Sequence, residues 1–153
     1  MVRVLMVCLG NICRSPLAEG ILRSKVKNTE IFIDSAGTGG WHIGELPDPR
    51  SIEIARANQI DITDQTCRKF VQRDFDEFDW IYVMDKSNFV DVIRMARNDQ
   101  DRMKVKLILE ELYPGQSKEV PDPYFDERQG FEKVFAMLDA ACDKIVNKLS
   151  NER

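Results

Sequence analysis

Histidine is nearly absent: His42 is the only one in 153 residues. The four cysteines, Cys8, Cys13, Cys67 and Cys142, include no Cys-x-x-Cys pair. A structural zinc site draws on clustered cysteine and histidine, so no metal or other cofactor is expected. Positive charge is also short, with 22 Lys plus Arg against 26 Asp plus Glu and a net charge of −4. Nucleic acid and anionic membranes are bound mainly by surplus positive charge, so neither is expected as a partner. Any anion this chain handles must be held by a local field. Long apolar runs are missing as well. After Arg3 the stretch Val4–Leu9 ends at Gly10-Asn11, shorter than a signal h-region and far shorter than a membrane span. A cytoplasmic protein with free thiols is the expectation. Neither Gly-x4-Gly-Lys-Ser/Thr nor Gly-x-Gly-x-x-Gly occurs, which leaves nucleotide binding without support.

What is present is ordinary globular material, 43% hydrophobic and 31% charged. The length fits one domain over residues 1–153, and nothing in the sequence demands more than a monomer. Val2–Cys8 is an apolar run rich in Val and Leu, read as a strand buried on both faces. Ser15-Pro16 predicts a helix start, with Ser as N-cap and Pro at the first helical position; Leu17, Ile21, Leu22 and Val26 form its apolar stripe. Further strands are expected at Ile31–Ala36, Trp80–Met84 and Val105–Leu109. Further helices are expected at Pro49–Asn58 and, capped by Asp85 or Ser87, around Val90, Ile93 and Met95. Phe131, Val134, Phe135, Leu138, Cys142, Ile145 and Leu149 recur at helical spacing in a last helix. Strands separated by helices predict an α/β fold of three layers: a four-stranded, mainly parallel twisted sheet with helices on both faces. Ligands of such sheets bind beyond the carboxyl ends of the strands, where the segment after Val7 lies.

That segment, Cys8-Leu9-Gly10-Asn11-Ile12-Cys13-Arg14-Ser15-Pro16, joins the best strand to a well-marked helix. Leu9, Gly10, Asn11, Ile12, Cys13 and Arg14 all carry a backbone N–H. Curled around one point, they would form a nest for a tetrahedral oxyanion, aided by the helix dipole. Gly10 is expected to take a conformation that a side chain would obstruct. Arg14 adds a planar fork able to hold two phosphate oxygens. A helix N-terminus and a nearby cation favour the thiolate of a cysteine over the thiol. Cys8 would then sit as a nucleophile on the floor of an anion cradle, with the Ser15 hydroxyl donating to its sulfur. A cysteine after a strand is more often core packing; the conjunction with Arg14, Ser15 and the helix start favours chemistry.

Written out as Cys-Leu-Gly-Asn-Ile-Cys-Arg-Ser-Pro, this loop resembles the signature of the low-molecular-weight protein tyrosine phosphatases. Asp34-Ser35-Ala36-Gly37, Trp41, Pro47-Asp48-Pro49-Arg50, Met84-Asp85-Lys86-Ser87-Asn88 and Asp122-Pro123-Tyr124 match that family along almost the whole chain. The resemblance implies hydrolysis of phosphotyrosine on proteins through a cysteinyl phosphate, with inorganic phosphate and similar oxyanions as ligands. The departing tyrosine oxygen needs a proton. His42 is one candidate; Asp122 is the better one, because flanking prolines stiffen its segment and the family has an aspartic acid at the matching position.

Other roles also follow from the resemblance. Trp41 and Tyr124, with Ile12, would line the slot for the tyrosine ring. Asn11 and Ser35 would brace the loop by hydrogen bonds, a network that often includes a histidine where this chain has Gln65. Cys13 would form a reversible disulfide with Cys8, or else serve only as a small packing thiol; Cys67 and Cys142 are read as core. Two rival enzymes share the loop. An arsenate reductase needs two further cysteines on a mobile segment, whereas Cys67 and Cys142 are far apart in sequence. A protein-arginine phosphatase carries threonine where Ile12 stands and lacks the cleft tryptophan. A phosphate-binding module without chemistry would need no acid beside its nucleophile.

Overall fold

Strand β1, Val2–Cys8, forms because its side chains are apolar on both faces, and from Val4 onward they are fully buried. The computed structural model describes residues 1–26 and 30–151. β1 pairs in parallel with β2 (Ile31–Gly37) on one side and β3 (Trp80–Val83) on the other. β4 (Val105–Leu107) adds to β3, giving the order β2-β1-β3-β4. The four-stranded parallel sheet with covered faces is therefore the architecture observed.

Side chains alternate across a strand, and here they feed two cores. Val4, Met6 and Cys8 join one with α1 (Arg14–Lys25), α2 (Pro49–Ala57) and α6 (Arg128–Asn151). Leu5 and Val7 join the other with Phe75 of α3 (Asp74–Glu77) and Val92 of α4 (Lys86–Ile93). The stripe predicted for the last helix is buried from Phe131 to Leu149, and Ala141 extends it. Truncating one such side chain, as in Leu138→Ala, is expected to cost about 2–5 kcal/mol.

Several expectations shift. Helix α1 starts at Arg14 with Cys13 as N-cap and no side-chain cap. Ser15 is therefore not the cap and Pro16 is not the first helical residue; the Ser15 hydroxyl is spent elsewhere. Pro16 still falls where helical N–H groups have no partner within the helix. Val26 lies just past the end of α1, its N–H bonded to Leu22 O. α2 ends at Ala57, with Asn58 as C-cap, and α4 stops before Met95. Asp85, not Ser87, caps α4 through a capping box with Asn88. β4 ends at Leu107 and runs into a 3₁₀ turn, Ile108–Glu111. The short helices α3 and α5 (Asp99–Met103) have no periodic signal in the sequence.

The last residue of β2 constrains the loop after β1. Gly37 lies so closely against that loop that a Cβ there would stand 2.8 Å from Leu9 O. Its N–H donates to Arg68 O and its carbonyl accepts from Phe70 N, which leaves the backbone no room to retreat.

Candidate active site

Between Cys8, at the carboxyl edge of the sheet, and Arg14, at the start of α1, the chain turns through Asn11 at φ +56°. The left-handed residue is thus Asn11, which tolerates it better than most, and not Gly10. A Cβ on Gly10 would only make ordinary contacts, 3.4 Å to the His42 ring and 3.5 Å to Ile12. The loop carbonyls are drawn outward. Thr38 N donates to Cys8 O (2.9 Å), Gly39 N to Leu9 O (2.8 Å) and Asp48 N to Ile12 O (2.8 Å). Cys67 Sγ donates to Asn11 O at 2.8 Å. Among the described residues, the N–H groups of Leu9 to Cys13 donate to no protein acceptor. Spent carbonyls beside unspent amides make the pattern of an anion nest, here at the positive end of α1.

A cavity of about 250 Å³ opens on this loop. Cys8, Leu9, Gly10, Ile12, Cys13 and Arg14 line it from the loop side. Trp41, His42, Asp122, Tyr124 and Phe125 line the rest. The predicted nucleophile, cation, acid and slot residues thus share one space. Trp41 is 70% exposed and Phe125 94%, so both stand at the mouth with little to cover them. Phe125 belongs to no motif in the sequence; its signal there is its place beside Tyr124, close to Asp122. His42 Nδ1 lies within hydrogen-bond distance of Glu45 Oε2, at 3.2 Å.

Arg14 is buried and doubly held. Its Nη1 donates to Asp85 Oδ2 at 2.7 Å and to Val120 O at 2.9 Å, while Nη2 lies 3.7 Å from Asp122 Oδ2. Asp122 is nearly half exposed and accepts from Tyr124 N at 3.1 Å. Asp85 as an anchor for Arg14 is missed in the sequence, because the partners lie 71 residues apart.

A hydrogen-bond chain runs from the cysteine into the protein. Asn11 Nδ2 donates to Ser15 Oγ at 2.8 Å and to Ser35 Oγ at 3.0 Å. Ser15 Oγ lies 3.0 Å from Cys8 Sγ. Because Ser15 already accepts from Asn11, its own proton can be directed at the sulfur. Ser35 in turn donates to the buried Glu19 Oε1 at 2.6 Å, and Glu19 pairs with Arg23. Burial pushes the Glu19 carboxyl up to about 7. Glu19 is a second residue that the sequence hides, as a polar letter in an amphipathic helix. Gln65 does not join this chain: its Nε2 donates to Pro16 O at 3.0 Å.

All four cysteines are buried free thiols. Burial pushes the Cys13 thiol far up and Cys67 to about 11. Among the described residues no group of three or more His, Cys, Asp or Glu side chains is placed to hold a metal ion, and no helix is long and apolar enough to cross a membrane.

A loop of this shape, between the first strand and first helix of a parallel sheet, with Cys8 at its floor, defines a class, and the chain belongs to it. The sequence pattern of the low molecular weight phosphotyrosine protein phosphatase family matches residues 3–153, and this protein is a member of that family. A relative of that name from Schizosaccharomyces pombe is 43% identical over 142 residues, 90% of each chain. The crystal structure of YfkJ from Bacillus subtilis superposes with a TM-score of 0.90 at 36% identity, covering 100% of this chain and 97% of that one. A protein tyrosine phosphatase from Entamoeba histolytica, solved with Hepes in its active site, gives a TM-score of 0.91 at 31% identity over 99% of both chains.

Proposed function

We propose that this protein is a protein tyrosine phosphatase that works through a cysteinyl phosphate on Cys8. The observation that carries the reading is the meeting of Cys8 Sγ, bonded to Ser15 at 3.0 Å, with Arg14 and Asp122 around one cavity floored by unspent amides. In the first step the Cys8 thiolate attacks phosphorus in line. An S–P bond forms, the P–O bond to tyrosine breaks, and Asp122 gives its proton to the leaving oxygen. Arg14 and the amides of Leu9 to Cys13 stabilise the charge on the three equatorial oxygens. In the second step water attacks, losing a proton to Asp122; the S–P bond breaks and phosphate leaves. Ser15 steadies the sulfur as nucleophile and as leaving group.

Selectivity for tyrosine over serine phosphate follows from reach. Only an aryl ester carries its phosphate to the cavity floor while its ring lies between Trp41 and Tyr124, against Ile12. Ile12 and Trp41 also support a phosphotyrosine substrate over phosphoarginine. Inorganic phosphate and sulfonates such as Hepes are fitting ligands for the same nest. Asn11 and Ser35 brace the loop. We further propose that the protein acts as a monomer of one domain in a reducing compartment, the cytoplasm, where four free thiols persist. When hydrogen peroxide oxidises the Cys8 thiolate to a sulfenic acid, the Cys13 thiol attacks that sulfur, the S–S bond forms, the S–O bond breaks and water leaves.

The test is hydrolysis of 4-nitrophenyl phosphate and a phosphotyrosine peptide by wild type, Cys8→Ser and Asp122→Ala. Cys8→Ser should be inactive, and Asp122→Ala slower by about 10²–10⁴. Turnover by Cys8→Ser at the wild-type rate would end the reading.

A further inference from the structure

Asp122 sits on a segment without regular structure, residues 121–127, that must keep its carboxyl within reach of the nest. The near end is pinned by Val120, whose N–H donates to Met84 O and whose carbonyl accepts from Arg14. The far end meets Arg50. This guanidinium is gripped by Asp48, which accepts from Arg50 Nε at 3.0 Å and Nη2 at 2.9 Å, as well as from Arg50 N at 2.8 Å. Asp48 is itself fixed to the nest, since its N–H donates to Ile12 O. From that fixed base Arg50 Nη1 donates to Asp126 O at 3.1 Å. Its Cζ lies 5.5 Å from the Tyr124 ring centroid and 4.6 Å from that of Phe131. Asp126 N closes a turn onto Pro123 O, so a hold on Asp126 and Tyr124 reaches Asp122 through a short, stiff stretch of chain.

Resting on the reading of Asp122 as the acid, we propose that Arg50 is a positioning residue. Anchored through Asp48 to the phosphate loop, it sets the distance between the segment carrying the acid and the nest. An arginine suits the task because one planar fork can grip a carboxylate, donate to a carbonyl and stack on a ring at once. Its side chain is 39% exposed, more than a residue held only for core packing would be. Arg50 touches neither phosphate nor leaving group, so its loss should matter only where proton donation matters.

The measurement is kcat/KM for phenyl phosphate, a poor leaving group, and for 2,4-dinitrophenyl phosphate, which departs without a proton. Arg50→Gln should lose about tenfold on the first and less than about twofold on the second. Arg50→Lys is run beside it, so that a folding defect in one variant does not decide the result. Lysine keeps the charge but not the fork, and the same selective loss is expected at a smaller size. In an Asp122→Asn background, Arg50→Gln should add less than about twofold on either ester. Equal losses on both esters, or a full loss persisting with Asp122→Asn, would overturn the role of Arg50. If Asp122→Asn alone shows no preference between the esters, the acid assignment fails, and this proposal fails with it.

Discussion

Asp85 holds Arg14 with one oxygen and a helix with the other: Oδ2 receives Arg14 Nη1 at 2.7 Å, and Oδ1 receives the Asn88 N–H at 2.8 Å. One carboxylate thereby fixes the direction of a buried cation and the start of α4. Asp85→Ala strips both. Leaving a buried charge short of its partner and a helix without its cap should cost about 2–4 kcal/mol. A displaced Arg14 should lower kcat/KM by at least about tenfold. Urea unfolding and steady-state kinetics check the two effects, and an Asp85→Ala enzyme with normal turnover would show that Arg14 needs no such anchor.

Asn11 combines a strained backbone with the brace, and two substitutions separate these. Asn11→Ala puts a Cβ-bearing residue with no local hydrogen bond at φ +56°; Asn11→Gly relieves that strain but equally loses the bonds to Ser15, Ser35 and Arg68 N. The glycine variant should be the more stable by about 1 kcal/mol, yet both should lose activity alike. Thermal melts with kinetic assays decide it. Full activity in Asn11→Gly would mean that the brace does not matter.

Glu19 makes stability depend on pH. Its folded carboxyl, raised by burial to about 7, binds its proton more tightly than in the unfolded chain. The stabilisation is complete below the ordinary glutamic value of 4.5 and is lost as pH rises through about 7, roughly 3 kcal/mol in all. Glu19→Gln should flatten this decline. Urea midpoints at pH 5 and pH 8 give the comparison, and equal slopes for the two proteins would contradict it.

Cys13 is testable by oxidation. Peroxide should inactivate wild type and Cys13→Ser alike, but dithiothreitol should restore only the former, because without Cys13 the sulfenic acid on Cys8 proceeds to irreversible forms. Burial shifts the ionisation of the Cys13 thiol to higher pH, so disulfide capture should quicken as pH rises. Equal recovery of both proteins would reduce Cys13 to packing.

The parts legible in the sequence were those written locally. β1 and α6 follow from apolar runs and a helical stripe, and Cys8, Arg14 and Ser15 follow from spacing within one turn. Ser15 misled as a cap because a hydroxyl that normally serves a helix N-terminus is drawn instead to Cys8 and Asn11. The contacts of Asp85 with Arg14, of Glu19 with Ser35 and of Arg50 with Asp126 are hidden in the sequence for a common reason. Each partner is brought close only by the fold, and neither a helix cap nor a charged residue in a helix gives a sign of such a partner in the sequence. α3 and α5 are too short to carry a period.

Gly37 shows where this economy leads. A single methyl there would stand 2.8 Å from Leu9 O and 3.0 Å from Asn11 N, with Arg68 and Phe70 holding the strand in place. Such a change would distort the nest without entering the cavity, so a redesign of the mouth for new esters would act through the exposed Trp41 and Phe125 while this buried spot stays bare.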